Sequence, residues 1–390
     1  MTQSPRNDTF LLDAGALPGD LKSLRQYVDN PFHLNAIHPD SQIPLEDEPH
    51  VTDWRRYHTE SMGSDVFSYL QTKLPQLNIP IRPGMASTGT YRRVARRGEA
   101  FRHDDFGDRL TLEVPGELRL LIQEHPAGAL PVLTTSNRKD FLTLLCALGG
   151  RSEPRSFPSA VNAQLISGYN NWDRVGRYRD AWQQKRDGSL THDWAAEMQR
   201  VIRTEPSLFQ DRIVLVTDAP YSGVTASELE LAITDSEWRR RSMSLRLEHE
   251  FTHYATKRLW GTMRTNLFDE LLADFMGMTH ALGRFSKDAF SRFLGLSHWP
   301  TAEPNARVHA YQGTLDGQAF VIAGHLILSA AAELERLSDS FYESETRFIF
   351  FLALCQLGLV DLVRDGAVPR FLQAYAIARR FCSKEKGLCL

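Results

Sequence analysis

From Ser236 onward the chain is a succession of helical patterns separated by short breaks, and no other feature limits its fold as much. Apolar residues recur three and four apart over roughly 236–260, 266–283, 286–296, 317–338, 341–363 and 366–381. Such stripes are buried only by packing helix against helix. The preceding half reads differently. Arg212–Val216 is the best buried-strand signal, and Pro131–Thr135 is another strand candidate. Arg109–Val114 alternates with period two, Pro115-Gly116 marks a turn, and Glu117–Ile122 returns, which predicts a hairpin. Helices are expected over 51–74 and 139–148, and between Ala160 and Arg203, where Trp172, Tyr178, Trp182 and Trp194 recur. The first 50 residues, with Pro39–Pro44, read as irregular chain around one short helix at Leu21–Val28. The expected fold is therefore α+β: a mixed α/β region of unassigned role (1–205), then a largely helical region (206–390) carrying the chemistry.

Charge excludes one class of partner. Forty-five Lys plus Arg against 48 Asp plus Glu leave a net charge of −3, without the cationic excess that replaces phosphate counterions, so no nucleic acid is expected. The runs Arg92–Arg97 and Arg239–Arg241 read as solvated faces. Cys146, Cys355, Cys382 and Cys389 include no Cys-x-x-Cys pair, so neither a disulfide framework nor a thiolate zinc knuckle is offered. The N-terminus lacks the basic-then-apolar pattern of a signal peptide. The most apolar stretch, Phe348–Val363, contains Gln356 and Asp361 and falls short of the roughly 20 residues a membrane span needs. A cytoplasmic protein without a membrane partner is the expectation.

The chemistry concentrates in Leu247-Glu248-His249-Glu250-Phe251-Thr252-His253-Tyr254, which contains His-Glu-x-x-His. On a helix, residues four apart differ by about 40° in azimuth, so His249 and His253 stack one turn apart and both imidazoles can reach one ion. Glu250 lies about 100° round from His249, where a base can take a proton from a water activated by that ion. Two satisfied histidines on an amphipathic helix would give the same pattern.

A second helix adds to it. In Asn266–Met278, Glu270 and Asp274 both project from the apolar face, about 40° apart, with Leu267, Leu271 and Met278. Buried carboxylates are costly unless paired or metal-bound. Glu270 is thus a natural third ligand and Asp274 a natural acceptor for the spare N–H of a ligand histidine, although the pair could instead cap or salt-bridge nearby cations. Asp269 falls on the opposite side and reads as solvated.

His249-Glu250-x-x-His253 followed by Glu270-x-x-x-Asp274 resembles the gluzincin branch of zinc metallopeptidases, of which thermolysin-like enzymes are members. The resemblance covers about 30 residues. It implies a zincin-like fold in the second region, zinc held by His249, His253 and Glu270, and Glu250 as general base in peptide hydrolysis. By the same resemblance an oxyanion donor should precede a later helix, where His309 is expected, with Tyr311 next. It also implies a substrate-binding edge strand, for which Ile213–Asp218 and Glu228–Ile233 are candidates. The Gly-x-Met-Glu-Asn motif of the large cytosolic aminopeptidases is absent. A core role is expected for His325, and none for His280.

Three functions follow as expectations. The first is an intracellular zinc peptidase, able to act on one particular peptide precursor. The second is a zinc amidase of a small molecule, and the third a non-catalytic zincin-fold binding protein, against which the intact Glu250 argues. Manganese, cobalt or iron would tolerate a similar ligand set.

Overall fold

The computed structural model describes residues 5–38, 42–102, 104–184 and 193–383. Cys389 and residues 39–41 of the Pro-rich stretch lie outside the described residues. The chain forms two compact units, one of Glu46–Asp218 and one of Met1–Leu45 with Ala219–Leu390. In chain order, α1 (Pro5–Asp13) and α2 (Leu21–Val28) belong to the discontinuous unit. The continuous unit holds α3 (Pro49–Ser61), α4 (Val66–Lys73), the short α5 (Gly89–Tyr91), β1 (Arg119–Gln123), β2 (Leu130–Thr135), α6 (Arg138–Leu148), β3 (Ala163–Asn170), α7 (Trp172–Gln184), α8 (Trp194–Thr204) and β4 (Gln210–Thr217). The remainder is α9 (Asp235–Trp260), α10 (Leu267–Leu282), α11 (Lys287–Leu294), α12 (Gly317–Phe341), α13 (Arg347–Val363) and α14 (Ala367–Ser383). A mixed first half and a helical second half are thus observed.

The continuous unit is built on a four-stranded sheet of order β1-β2-β4-β3. β1 and β3 run antiparallel to their neighbours, whereas β2 and β4 are parallel. A parallel pair needs a long crossover, and here α6, β3, α7 and α8 lie between its strands. Trp54, Tyr57, Phe67, Leu70, Phe141 and Leu144 pack on Leu133, Ile213 and Leu215 of the sheet. The aromatic recurrence seen in the sequence is a satellite core, in which Trp172, Tyr178 and Trp194 surround Val175, Val201 and Phe209.

Several expectations change. A boundary after residue 205 would cut β4 from the middle of its sheet, and the first 45 residues belong with the helical unit. The 51–74 helix breaks between α3 and α4, where Gly63 takes φ +79 and Asp65 caps Phe67 N at 2.8 Å. Arg109–Val114 is not a strand. β1 begins after the Pro115–Glu117 turn and pairs forward with β2. The N-terminal stretch carries α1 as well as α2.

In the discontinuous unit, α9 and α10 form the centre. Thr234 and Asn266 cap their N-termini, and Gly261 and Gly283 end them in the left-handed region. The two run antiparallel in a fixed register: Leu245 meets Gly277, His249 meets Asp274, and His253 meets Glu270. Gly277 permits this approach, since a Cβ there would stand 2.7 Å from the Leu245 carbonyl oxygen. α10 also packs against α12 and α13, which buries every residue from Leu267 to Thr279. The N-terminal segment docks on the same unit, Phe32 against Trp260 at 5.2 Å and Asn30 Nδ2 donating to the Cys355 carbonyl at 2.8 Å. Gly317–Phe341 and Ser344–Val363 are apolar and long enough to cross a membrane, yet over half of each apolar window is buried inside the protein.

Gly277→Ala should therefore destabilise the protein by about 1–3 kcal/mol, the usual cost of overpacking. Gly176→Ala, in α7 with open space around the added Cβ, should not. Thermal unfolding of the two variants beside wild type checks the contrast.

Candidate metal centre

Residues 242, 246, 249 and 253 share one face of α9, and each is used. Ser242 Oγ accepts from Tyr221 N at 3.0 Å, and Arg246 donates to the carbonyls of Ala219 and Pro220 at 2.6 Å. These bonds tie Tyr221-Ser222-Gly223 to the helix. His249 and His253 follow, with α10 opposite.

Three donors converge there. His249 Nε2 and His253 Nε2 are 3.1 Å apart, His253 Nε2 is 3.3 Å from Glu270 Oε1, and His249 Nε2 is 3.6 Å from Glu270 Oε2. Ligand atoms about 2.0–2.1 Å from a tetrahedral ion stand about 3.3 Å from one another. The closest approaches here are of that size, although the two imidazoles meet different oxygens of Glu270, and one ligand atom from each residue lies within 4.8 Å of the others. The three residues form a buried group that could hold a metal ion.

The far sides of both rings support this. His249 Nδ1 faces Asp274 Oδ1 at 2.8 Å, and the Tyr221 hydroxyl donates to the same oxygen. That places the ring proton on Nδ1 and leaves the Nε2 lone pair for the centre. His253 Nδ1 lies 3.9 Å from Asp269 Oδ2, beyond hydrogen-bond range but on the equivalent side. Burial pushes the Glu270 carboxyl up, but the Arg307 charge and both imidazoles outweigh it and hold it well below the carboxylate range. Burial lowers the His253 imidazole, yet Glu270, Asp269 and Glu250 outweigh it and hold its pKa up at about 9. Burial raises Asp269 to about 7 against the charge of His253.

His249, His253, Glu270 and Asp274 are therefore brought together, with Glu250 half-buried on the next position of α9. The loop expected to supply His309 contributes other residues. His309 is exposed, its Nε2 within 3.0 Å of the Glu303 carbonyl. Arg307 instead enters the site, donating to Glu270 Oε2, to Ser222 Oγ at 3.2 Å and to the Tyr221 hydroxyl at 3.3 Å. Tyr311 accepts from Arg307 Nε at 3.1 Å, and burial keeps its phenol above the usual range. Tyr27 of α2 donates to the Tyr311 carbonyl at 2.7 Å and accepts from Leu267 N at 3.0 Å, joining this loop to the start of α10.

Asp269 is buried, not solvated, because α10 is buried on all sides from Leu267 to Thr279. His325 is exposed and so is no core histidine, whereas His280 is exposed as expected. Neither candidate offers a free strand edge: β4 lies between β2 and β3, and 228–233 is irregular chain and not a strand. Sequence reasoning missed Arg307, Tyr221 and Tyr27. The one local signal was that Arg307 lies two residues before His309.

Asp274→Ala should weaken metal affinity by about 10- to 100-fold without abolishing it. His253→Ala or Glu270→Ala should remove most of the metal. Chelator-competition titration of the purified variants measures both.

No curated protein and no solved structure matches this chain significantly. One protein-family model does, over residues 9–366, which include every residue of the centre. The chain belongs to that family, a family of unknown function designated DUF7005.

Proposed function

We propose that this protein is a zinc-dependent hydrolase of amide bonds, with the gluzincin-type metallopeptidase as the leading reading. One observation carries it: two imidazoles on consecutive turns of α9 and one carboxylate of α10 converge at 3.1–3.6 Å. His249, His253 and Glu270 would hold the ion, and their mixed nitrogen and oxygen set suits zinc. When bound, zinc would supply Lewis acidity, which lowers the pKa of a water and polarises a carbonyl.

The protein's own groups do the rest. Glu250 takes the proton of the attacking water and passes it to the leaving nitrogen. Asp274 and Tyr221 fix the His249 ring, and Asp269 stands behind His253. A second reading, hydrolysis of a small amide, is favoured by the two candidate strands having no edge to pair with a peptide backbone.

Glu250→Gln should keep one metal per chain and lose about 10²- to 10⁴-fold in turnover. Elemental analysis, with mass-spectrometric screening of peptide and small-amide libraries, measures the two quantities separately. Full activity in Glu250→Gln would refute the mechanism. Cleavage confined to small amides would select the second reading.

A further inference from the structure

Arg307 is the least expected group in the centre. It sits among aromatic rings, its guanidinium carbon 5.6 Å from the Tyr221 ring and 5.9 Å from that of Tyr311. Its side chain is only 16% exposed. A guanidinium has five N–H donors in a fixed fork. Nε meets Tyr311, Nη1 meets Tyr221 and Ser222, and Nη2 meets Glu270 Oε2. The other direction from Nη2 leads to His249 Nε2, at 3.5 Å.

The backbone holds this arrangement at some cost. Ser222 takes φ +52, in the left-handed region that non-glycine residues rarely adopt. Its hydroxyl thereby accepts from Arg307.

His249 Nε2 is the atom that coordinates an ion in the reading above, on which this inference rests. Once that lone pair is taken, the Nη2 hydrogen facing it has no acceptor, and a buried donor left without one is unfavourable. Metal binding also draws charge from Glu270, the closest anion to Arg307. An anionic oxygen beside the metal ligands satisfies both losses, since a guanidinium binds carboxylate or phosphate-like oxygens with charge-assisted bonds. His309, exposed and directed at Glu303, is not placed for this.

We propose that Arg307 is the anion-recognising residue of the centre, binding a negatively charged oxygen of the substrate or of the tetrahedral species formed from it, next to His249 and Glu270. Tyr311, Tyr221 and Ser222 are positioning residues that aim the guanidinium.

The test uses the full-length protein loaded with cobalt, whose visible absorption reports ligands entering the coordination sphere. Titration with acetate and with inorganic phosphate should shift the wild-type spectrum. In Arg307→Met and Arg307→Ala, cobalt should still bind one per chain while anion affinity falls by about tenfold or more, with Arg307→Lys intermediate. Tighter acetate binding would mark a substrate carboxylate as the ligand, and tighter phosphate binding a tetrahedral oxyanion. Unchanged anion affinity in the cobalt-loaded Met and Ala variants would overturn the proposal. Failure of wild type to bind cobalt would overturn the metal reading and this inference with it.

Discussion

The antiparallel contact between α9 and α10 is the constraint on which the site depends. Gly277 lets the α10 backbone approach the Leu245 carbonyl, and that contact fixes the register along both helices. One turn further along, Asp274 falls beside His249, and one more turn brings Glu270 to His253. Shifting either helix by one residue would rotate its polar groups by about 100° and leave buried charges facing apolar side chains. The packing and the chemistry are therefore not separable here.

Burying this many ionisable groups is tolerable because they compensate one another. Glu270 faces both imidazoles and Arg307, and Asp274 faces His249, Tyr221 and Arg307. Removing one partner from such a network typically costs several kcal/mol, because the others stay buried without it. The groups come from distant parts of the chain. Tyr27 near the N-terminus links the loop carrying Arg307 to the first turn of α10, so the N-terminal segment is a structural part of the centre.

Much of the fold was legible because helices and their caps are local. The patterns at 236–260 and 266–283 match α9 and α10 closely, since Thr234, Asn266, Gly261 and Gly283 mark their ends. The apolar run at 213–216 lies within β4 for the same reason, since a buried strand is also a local pattern. The hairpin at 109–122 misled because Leu110 and Leu112 are buried in the core as irregular chain. Alternation records burial on one side, not which strand is the partner.

The convergence of His249, His253, Glu270 and Asp274 was readable from the sequence alone, because spacing along a helix sets which side chains share a face. Only the tertiary structure decided the rest. Asp269 looked solvated on a helical wheel, which assumes one wet face, but α10 is enclosed by α9, α12 and α13. His309 carried the expected residue type, yet the turn at 307–311 sends Arg307 and Tyr311 to the centre and His309 to the surface. Periodicity is a property of neighbours in the chain. Burial and convergence depend on contacts between segments hundreds of residues apart, such as Tyr27 with Tyr311, and no local pattern encodes them.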